Sequence, residues 1–530
     1  MSIRFGAHEP SELGNEWVCM YKTEESVDFE KKHFEMAMMN VVRHPNINST
    51  VILRADVLKE WEYDVETGTE VSFKKELHTV ADPEAQVVNV EDVTVREIET
   101  SPELQLSQKI TMVRRIIPRN PYKDAIINQT CLLLNSRTLA ETSLIIYTPH
   151  LDQKELCPFY IPHVKAVGIL FHKQRLSVHY VPFAEQGARE LRDEGERVVR
   201  TARRLLQTAH KHSSGVKAGY EKKVAHDVVV DKVLFQDRYI ALKKKHSRFL
   251  VDNWAESTDP KKHVFEDIAI AAFLIELWNK IYGPEFATKM QFRDLGCGNG
   301  VLCYLLLQEG ISGVGIDARQ RKSWKIYPKE VQKKLQEQVI IPSILLRPHP
   351  EIKKRAPDLD HNGRYFPIKI QDKIAPATVV YSSEDLLKSS SVNVTEFPPD
   401  TFIIGNHSDE LTCWIPLLGY PFVVIPCCSH GFSGQRARYG VKKSSLKNGN
   451  STYAGLVERV EALAVRVGWK VEREMLRIPS TRNAAIVGTE NSHLDQWPTQ
   501  EVYDTILEGG GADGWVENTM ALAKKSPRGH

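Results

Sequence analysis

The stretch DLGCGNGVLCYLLLQEGISGVGID, residues 294–317, reads as the end of a strand, a glycine turn, a helix and a second strand. Gly296, Gly298 and Gly300 stand between the apolar strand and the helical run that starts at Val301. Glycine permits positive φ and carries no Cβ, so a small molecule can lie against the main chain at the first strand-to-helix turn of a doubly wound sheet. A dinucleotide fingerprint, GxGxxG, needs its third glycine at position 301, which is Val301; a nicotinamide-dependent oxidoreductase is disfavoured on that ground. Asp317 ends the second strand about 20 residues on, where a carboxylate accepts hydrogen bonds from ribose hydroxyls.

Working outward, TFIIGNHSDEL (401–411) and PFVVIPCC (421–428) are apolar β-type runs ending in small or polar residues, as parallel strands buried on both faces do. STYAGLVERVEALAVRVGWKVEREMLRIP adds a helix and a strand, and NAAIVGT a last strand. Upstream, VFEDIAIAAFLIELWNKIYG (264–283) is apolar nearly all round and predicts a buried helix, preceded by another from about Leu234 to Trp254. VKAVGILF and RLSVHYVPF predict two strands joined by a turn at His172 to Gln174. Residues 188–208 predict an amphipathic helix whose arginines, Arg197, Arg200, Arg203 and Arg204, form a basic face that either meets RNA or, as such faces usually do, only solvent. Residues 76–105 are acidic without a strong period and read as a linker or variable surface segment.

The expected fold class is α/β. Its parts are a variable N-terminal region (1–112), an N-terminal α/β module for substrate binding (113–230), a Rossmann-like domain with preceding helices (231–489) and a partly mobile C-terminal tail (490–530). At 530 residues, 42% hydrophobic and 26% charged, the chain has the composition of a multi-domain globular protein. The longest apolar stretch, IAIAAFLIELW, falls far short of the roughly 20 residues a membrane span needs, and no apolar run follows a basic start. A cytoplasmic protein without a membrane partner is expected. Its eight cysteines form no CxxC pair, and Cys427 and Cys428, as neighbours on a strand, are expected to point to opposite faces; no metal site is expected.

GxGxG preceded by an acid, Asp294, resembles the pattern of class I S-adenosylmethionine-dependent methyltransferases. Longer words carry the resemblance further: FRDLGCGNGVLCYLLLQEGISGVGIDARQRKSW, FIIGNHSDELTCWIPLL, VVIPCCSHGFSG and IPSTRNAAIVG, with IPRNPYKDAIINQTCLLL, YIPHVKA and TDPKKHVFEDIAIAAFLIELW upstream. Together, over roughly residues 114–489, they resemble the tRNA (uracil-2′-O)-methyltransferase family, which modifies uridine 44 of serine tRNA. The resemblance implies a Rossmann-like class I methyltransferase domain with a doubly wound, mostly parallel sheet. It implies S-adenosylmethionine as cofactor, bound by Asp294, Gly296, Gly298, Gly300 and Asp317. It implies tRNA, serine tRNA above all, as partner; an accessory RNA-binding protein is allowed for, and DNA is not expected. The sequence departs from the family in PCCSHGFSG, where an aromatic pair is expected after the cysteines, and in its first hundred residues.

The acceptor side is less defined. Residues 431–450 hold Arg436, Arg438, Lys442, Lys443 and Lys447 with Tyr439 interleaved and no acid, a pattern that follows phosphates and stacks a base; a solvated loop is the bland alternative. Arg319, Arg321 and Lys322 follow Asp317 and form a second basic segment. Arg482, in IPSTRN, either clamps RNA or satisfies carbonyls. In GNHSDE, His407 is the first candidate for a general base, since histidine titrates near working pH; Asp409 is the second catalytic candidate, or else a cap for the ELTCWIPLL helix. Glu266 and Asp267 either touch the cofactor or begin a buried helix, the structural role being favoured, and His163 and Arg119 are read as contacts of the N-terminal module. A methyltransferase acting on another RNA, a protein or a small molecule, and a non-catalytic RNA-binding scaffold, are the rival readings.

Overall fold

The computed structural model describes residues 2–75, 93–220, 226–370, 377–440 and 451–523. The chain divides into two compact units, Met1–Lys222 and Lys223–His530.

In the first unit the elements run β1 (Ile3–Phe5), β2 (Val18–Thr23), α1 (Lys31–Arg43), β3 (Ile52–Tyr63), β4 (Glu70–Lys75), β5 (Leu106–Pro118), β6 (Ile127–Ser136), β7 (Thr142–Pro149), β8 (Ala166–His172), β9 (Arg175–Val181), α2 (Glu185–Glu190) and α3 (Arg197–Lys217). The described strands form one antiparallel sheet in the order β1-β2-β9-β8-β7-β6-β5-β3-β4. Its central strands are covered on both faces. Ile145 and Tyr147 of β7 join Phe34 and Met38 of α1 and Ala202 and Leu206 of α3 in one cluster, while Leu144 and Ile146 meet Leu13, Trp17 and Leu104 on the other face. A Cβ at Gly168 in β8 would stand 2.9 Å from Leu13 Cδ1 and Trp17 Cζ3, so only glycine lets that second cover close down. The β8–β9 hairpin turns through Lys173 and Gln174, both at positive φ, the backbone that matches the twist of a two-residue hairpin.

Two expectations change here. Residues 1–112 do not stand apart: β1 to β4, α1 and the start of β5 are integral to the sheet, because β3 pairs with β5 over most of its length. Of the acidic segment, residues 76–92 lie outside the described residues. The single helix over 188–208 is two helices, interrupted where Asp193 Oδ1 accepts the Gly195 amide at 2.8 Å in a local turn.

The second unit opens with α4 (Lys232–Asp252), α5 (Pro260–Tyr282) and α6 (Phe286–Lys289), then β10 (Gln291–Leu295), α7 (Val301–Gln308), β11 (Gly313–Asp317), α8 (Lys329–Gln332) and β12 (Leu335–Glu337). An excursion follows through β13 (Val339–Ile340), α9 (Pro350–Arg355), β14 (Tyr365–Ile370), β15 (Ala377–Ser382), α10 (Ser383–Lys388) and β16 (Val392–Asn393). The chain returns as β17 (Thr401–Asn406), β18 (Phe422–Ile425), α11 (Thr452–Arg466), β19 (Trp469–Met475) and β20 (Ala484–Asn491), and closes with α12 (Gln500–Glu508) and α13 (Trp515–Leu522).

Its main sheet has the order β12-β11-β10-β17-β18-β20-β19, parallel as far as β18, with β20 antiparallel to both its neighbours. Strand residues alternate between two clusters: Phe402, Ile404, Val423 and Ile425 face α5 and α7, and Ile403, Phe422 and Val424 face α11 and the C-terminal helices. Burial on both faces explains why these strands read as unbroken apolar runs. The chain leaves β10 toward β11 on one side and returns to β17 on the other, so the crevice at the carboxyl ends of β10 and β17 is the switch point where such sheets bind ligands.

Two expectations are corrected here. ELTCWIPLL is not an α-helix but two 3₁₀ turns, Asp409–Leu411 and Ile415–Leu417; Asp409 is the first residue of the first turn, at φ +44, and the N-cap position is Ser408. Of the tail, α13 is held to the second unit by Trp515, which is buried, lies tilted against Trp414 at 5.3 Å and donates to Ile340 O at 3.0 Å; the last stretch expected to be mobile, residues 524–530, lies outside the described residues. Cys427 and Cys428 fall beyond the end of β18, so strand alternation does not govern them. Among the described residues no helix is long and apolar enough to cross a membrane.

Candidate functional site

A cavity of about 580 Å³ opens at the switch point. Its floor is the glycine turn. Gly298, at φ +53, has nothing within 4 Å where a Cβ would be, which leaves bare main chain facing the space. Gly300 serves packing instead: it is the N-cap of α7 in the left-handed region, and a Cβ there would crowd Leu335 at 3.1 Å and Tyr327 at 3.3 Å.

Asp317 lies at the end of β11, its Oδ2 accepting the Gly298 amide at 2.9 Å and its Oδ1 the Arg319 amide at 3.0 Å. The carboxylate thereby fixes the turn while still lining the cavity. Asp294 does not reach the cavity. It is buried beneath the turn, where Oδ2 accepts from the Cys303 thiol at 3.3 Å and Oδ1 has no partner. Burial, opposed by that thiol and reinforced by the Asp317 charge, pushes its pKa up to about 7.

α5 forms one wall. Asp267 is buried beside Glu266 and Asp294, and burial followed by those two carboxylates pushes its pKa well above the usual range, against the Asn406 Nδ2 bond it accepts at 3.0 Å. Glu266 Oε1 meets His407 Nε2 at 3.1 Å, and His407 Nδ1 is enclosed without a partner. His407 holds φ +52, a conformation costly for a residue with a Cβ and one that concentrates at functional sites.

At the acceptor end Asp409 Oδ1 accepts from the Cys427 thiol at 2.9 Å, and Arg482 Nη1 lies 3.5 Å from Cys428 Sγ. Both sulfurs and the Asp409 carboxylate converge within 4.8 Å, contrary to the expectation that neighbouring thiols diverge. Burial, then Asp409, pushes the Cys427 thiol far up, so the contact is a protonated thiol on a carboxylate.

Of the residues singled out in the sequence, Gly296, Gly298, Asp317, Arg319, Arg321, His407, Asp409 and Arg482 line this cavity, whereas Asp294, Gly300, Lys322, Arg436, Arg438 and Tyr439 do not. Tyr439 is not free to stack a base: its hydroxyl donates to His430 O at 2.8 Å and the Arg459 guanidinium covers its ring at 5.7 Å. Arg436 and Arg438 are exposed, and Lys442, Lys443 and Lys447 lie outside the described residues.

Sequence reading missed two donors that hold the turn. Trp324 Nε1 donates to Gly298 O and Tyr327 OH to Asn299 O, each at 2.9 Å. The aromatic pair in KSWKIY was the available signal, obscured by the lysines around it. Ile316 and Ile340 give the cavity an apolar wall, and Gln338 a polar one.

Two family models match the chain. Residues 3–223 match the family described as "TRM44-like, N-terminal bet v1-like domain", and residues 229–342 match "Predicted AdoMet-dependent methyltransferase", a class whose methyl donor is S-adenosylmethionine. The chain is 66% identical to a tRNA (uracil-O(2)-)-methyltransferase of Kluyveromyces lactis, covering 100% of this chain and 99% of that protein. It is 63% identical to one of Saccharomyces cerevisiae (100% and 96%) and 35% identical to one of Schizosaccharomyces pombe (98% and 96%). On sequence shared across nearly its whole length, the chain belongs to the tRNA (uracil-O(2)-)-methyltransferase family.

Proposed function

We propose that this chain methylates the ribose 2′-hydroxyl of uridine 44 in serine tRNA through a class I, Rossmann-like methyltransferase unit. The strand order supports the fold reading: in chain order it is 3-2-1-4-5-7-6, the doubly wound order with the last strand inserted antiparallel. The observation that carries the site reading is Asp317, a buried carboxylate tied to the bare Gly298 main chain at the switch point.

The residues present fit the donor. Gly296 and Gly298 allow close approach, Asp317 accepts from ribose hydroxyls, and Ile316 and Ile340 flank an adenine. Glu266 and Asp317 at the cavity favour a cation. When bound, S-adenosylmethionine supplies an electrophilic methyl group on a positive sulfonium. Asp294 and Gly300 act from behind, by setting the turn.

A ribose hydroxyl is a weak nucleophile, so in-line positioning carries much of the rate and a base takes the proton. Glu266 accepts from Nε2–H of His407, which leaves Nδ1 as the basic atom. That atom is enclosed in the free chain, so His407 takes the proton after the ring turns toward the entering nucleotide. Asp409, in the same loop, anchors it through Cys427. Arg319, Arg321 and Arg482 at the cavity, with Lys322, Arg436 and Arg438 outside it, contact phosphates. The cytoplasm is the compartment this reading implies.

The test is methyl transfer from labelled S-adenosylmethionine to unmodified serine tRNA transcripts by wild type and Asp317→Ala, with the product mapped by ribose-methylation-sensitive cleavage. A 2′-O-methyl at uridine 44, lost in the variant, is expected. Transfer to another nucleotide, or to protein, would overturn the acceptor assignment.

A further inference from the structure

α3 carries six Lys and Arg residues and no Asp or Glu, whereas a merely solvated helix face commonly mixes both signs. Val199, Ala202, Leu206, Ala209 and Ser213 form its buried side. At about 100° per residue, Arg200, Arg204 and Lys211 fall on the opposite side within an arc of about 40°, flanked by Arg197 and Arg203. At 1.5 Å per residue the stripe from Arg197 to Lys211 is about 21 Å long.

All five side chains are exposed. Lys217 is committed to Asp28 at 3.0 Å, but Arg200, Arg203, Arg204 and Lys211 have no ion-pair partner among the described residues. At the amino end of the stripe stands Phe159, 45% exposed. Arg197 donates to its carbonyl oxygen and lies 5.7 Å from the centre of its ring, and Tyr160 meets the ring edge-on at 6.3 Å. The ring is thus held in place with surface to spare.

We propose that this face of the first unit binds tRNA: the stripe of Arg197, Arg200, Arg203, Arg204 and Lys211 follows the phosphate backbone and Phe159 stacks an unpaired base. The inference rests on the tRNA reading above and extends it to a surface other than the cavity. Cations without partners in a line match a polyanion of regular charge spacing. An exposed aromatic ring beside them is what single-stranded nucleotides stack upon. An acidic protein would satisfy the stripe but gives no use for the ring.

The test measures binding of a serine tRNA transcript by the full chain across a salt series, for wild type, for a variant combining Arg200→Gln, Arg203→Gln, Arg204→Gln and Lys211→Gln, for its Lys-for-Arg counterpart, and for Phe159→Ala. The glutamine variant is expected to bind at least tenfold more weakly, with a shallower dependence of log affinity on log salt, since each lost phosphate contact removes about 0.7–0.9 from the slope. The loss falls in KM for tRNA rather than in kcat, and affinity for S-adenosylmethionine stays at the wild-type value. The lysine counterpart keeps the slope. Phe159→Ala weakens binding several-fold without changing the slope, and Phe159→Trp restores it.

Wild-type tRNA affinity and slope in the folded glutamine variant would overturn the proposal, whether or not that variant loses affinity for a polyglutamate probe. A wild-type chain that binds tRNA through this face yet transfers no methyl group to it would instead sink the activity reading and leave the surface standing.

Discussion

Glu266 of α5 accepts a hydrogen bond from His407 at 3.1 Å across 141 positions of sequence, joining the helix that walls the cavity to the loop that follows β17. The contact holds a histidine whose backbone sits at φ +52. If His407 takes the proton from the acceptor, His407→Ala lowers kcat by about 100-fold or more, the span general bases contribute, with donor affinity unchanged. Glu266→Gln keeps the size and a hydrogen-bonding group but loses the charge, and lowers kcat by about tenfold while KM holds. Single-turnover methyl transfer measures both; equal losses in kcat and donor affinity would assign the pair to the donor instead.

Asp317 holds the Gly298 and Arg319 amides at once. Charged hydrogen bonds contribute about 1.5–3 kcal/mol each, so Asp317→Ala weakens S-adenosylmethionine binding by about tenfold to a hundredfold. Isothermal titration reads this directly. Asp294→Asn, one layer below the cavity, costs less donor affinity than Asp317→Ala; the reverse order would place Asp294 in contact with the donor.

Trp324 donates to Gly298 O from the far side of the turn. Trp324→Phe keeps an aromatic ring but removes the donor and part of the buried ring, at about 1 kcal/mol for the hydrogen bond with a packing loss added to it, which corresponds to a fall of at least about 1–2 °C in melting temperature for a unit of this size. Differential scanning fluorimetry checks it; saturating donor raises both melting temperatures, and widens the gap because the loosened turn binds the donor more weakly and gains less from it.

The glycine turn and Asp317 were legible because a ligand-facing turn needs specific backbone freedom, and that requirement leaves a local signature. The first unit was not. β3 and β5 pair across an intervening acidic segment, and β1 closes on β2 at the edge. Antiparallel partners so far apart leave no mark at either position alone, so residues 1–112 read as variable. The 3₁₀ turns after β17 misled for a local reason: ELTCWIPLL has helical spacing, but Pro416 and the left-handed Asp409 forbid a regular helix. Tyr439 misled for a tertiary one, since its burial against Arg459 and His430 depends on where the segment after β18 folds back.

Asp294 yields the pH prediction. Burial, the largest cause, pushes its pKa up to about 7, against about 3.9 in an unfolded chain. Between those values the folded chain keeps a proton that the unfolded chain releases, so the group contributes stability that is present at low pH and falls away as pH rises, until the folded carboxyl also ionises near 7. The whole effect amounts to about 2–4 kcal/mol. Asn resembles the protonated acid and cannot ionise in either state. The melting temperature of Asp294→Asn relative to wild type is therefore expected to climb from pH 4 to pH 7 and then level off. A difference that stays flat across this range would mean that Asp294 is ionised in the folded chain and that a cation reaches its unpartnered Oδ1. In that case the buried carboxylate belongs to the donor site itself rather than to the scaffold beneath it.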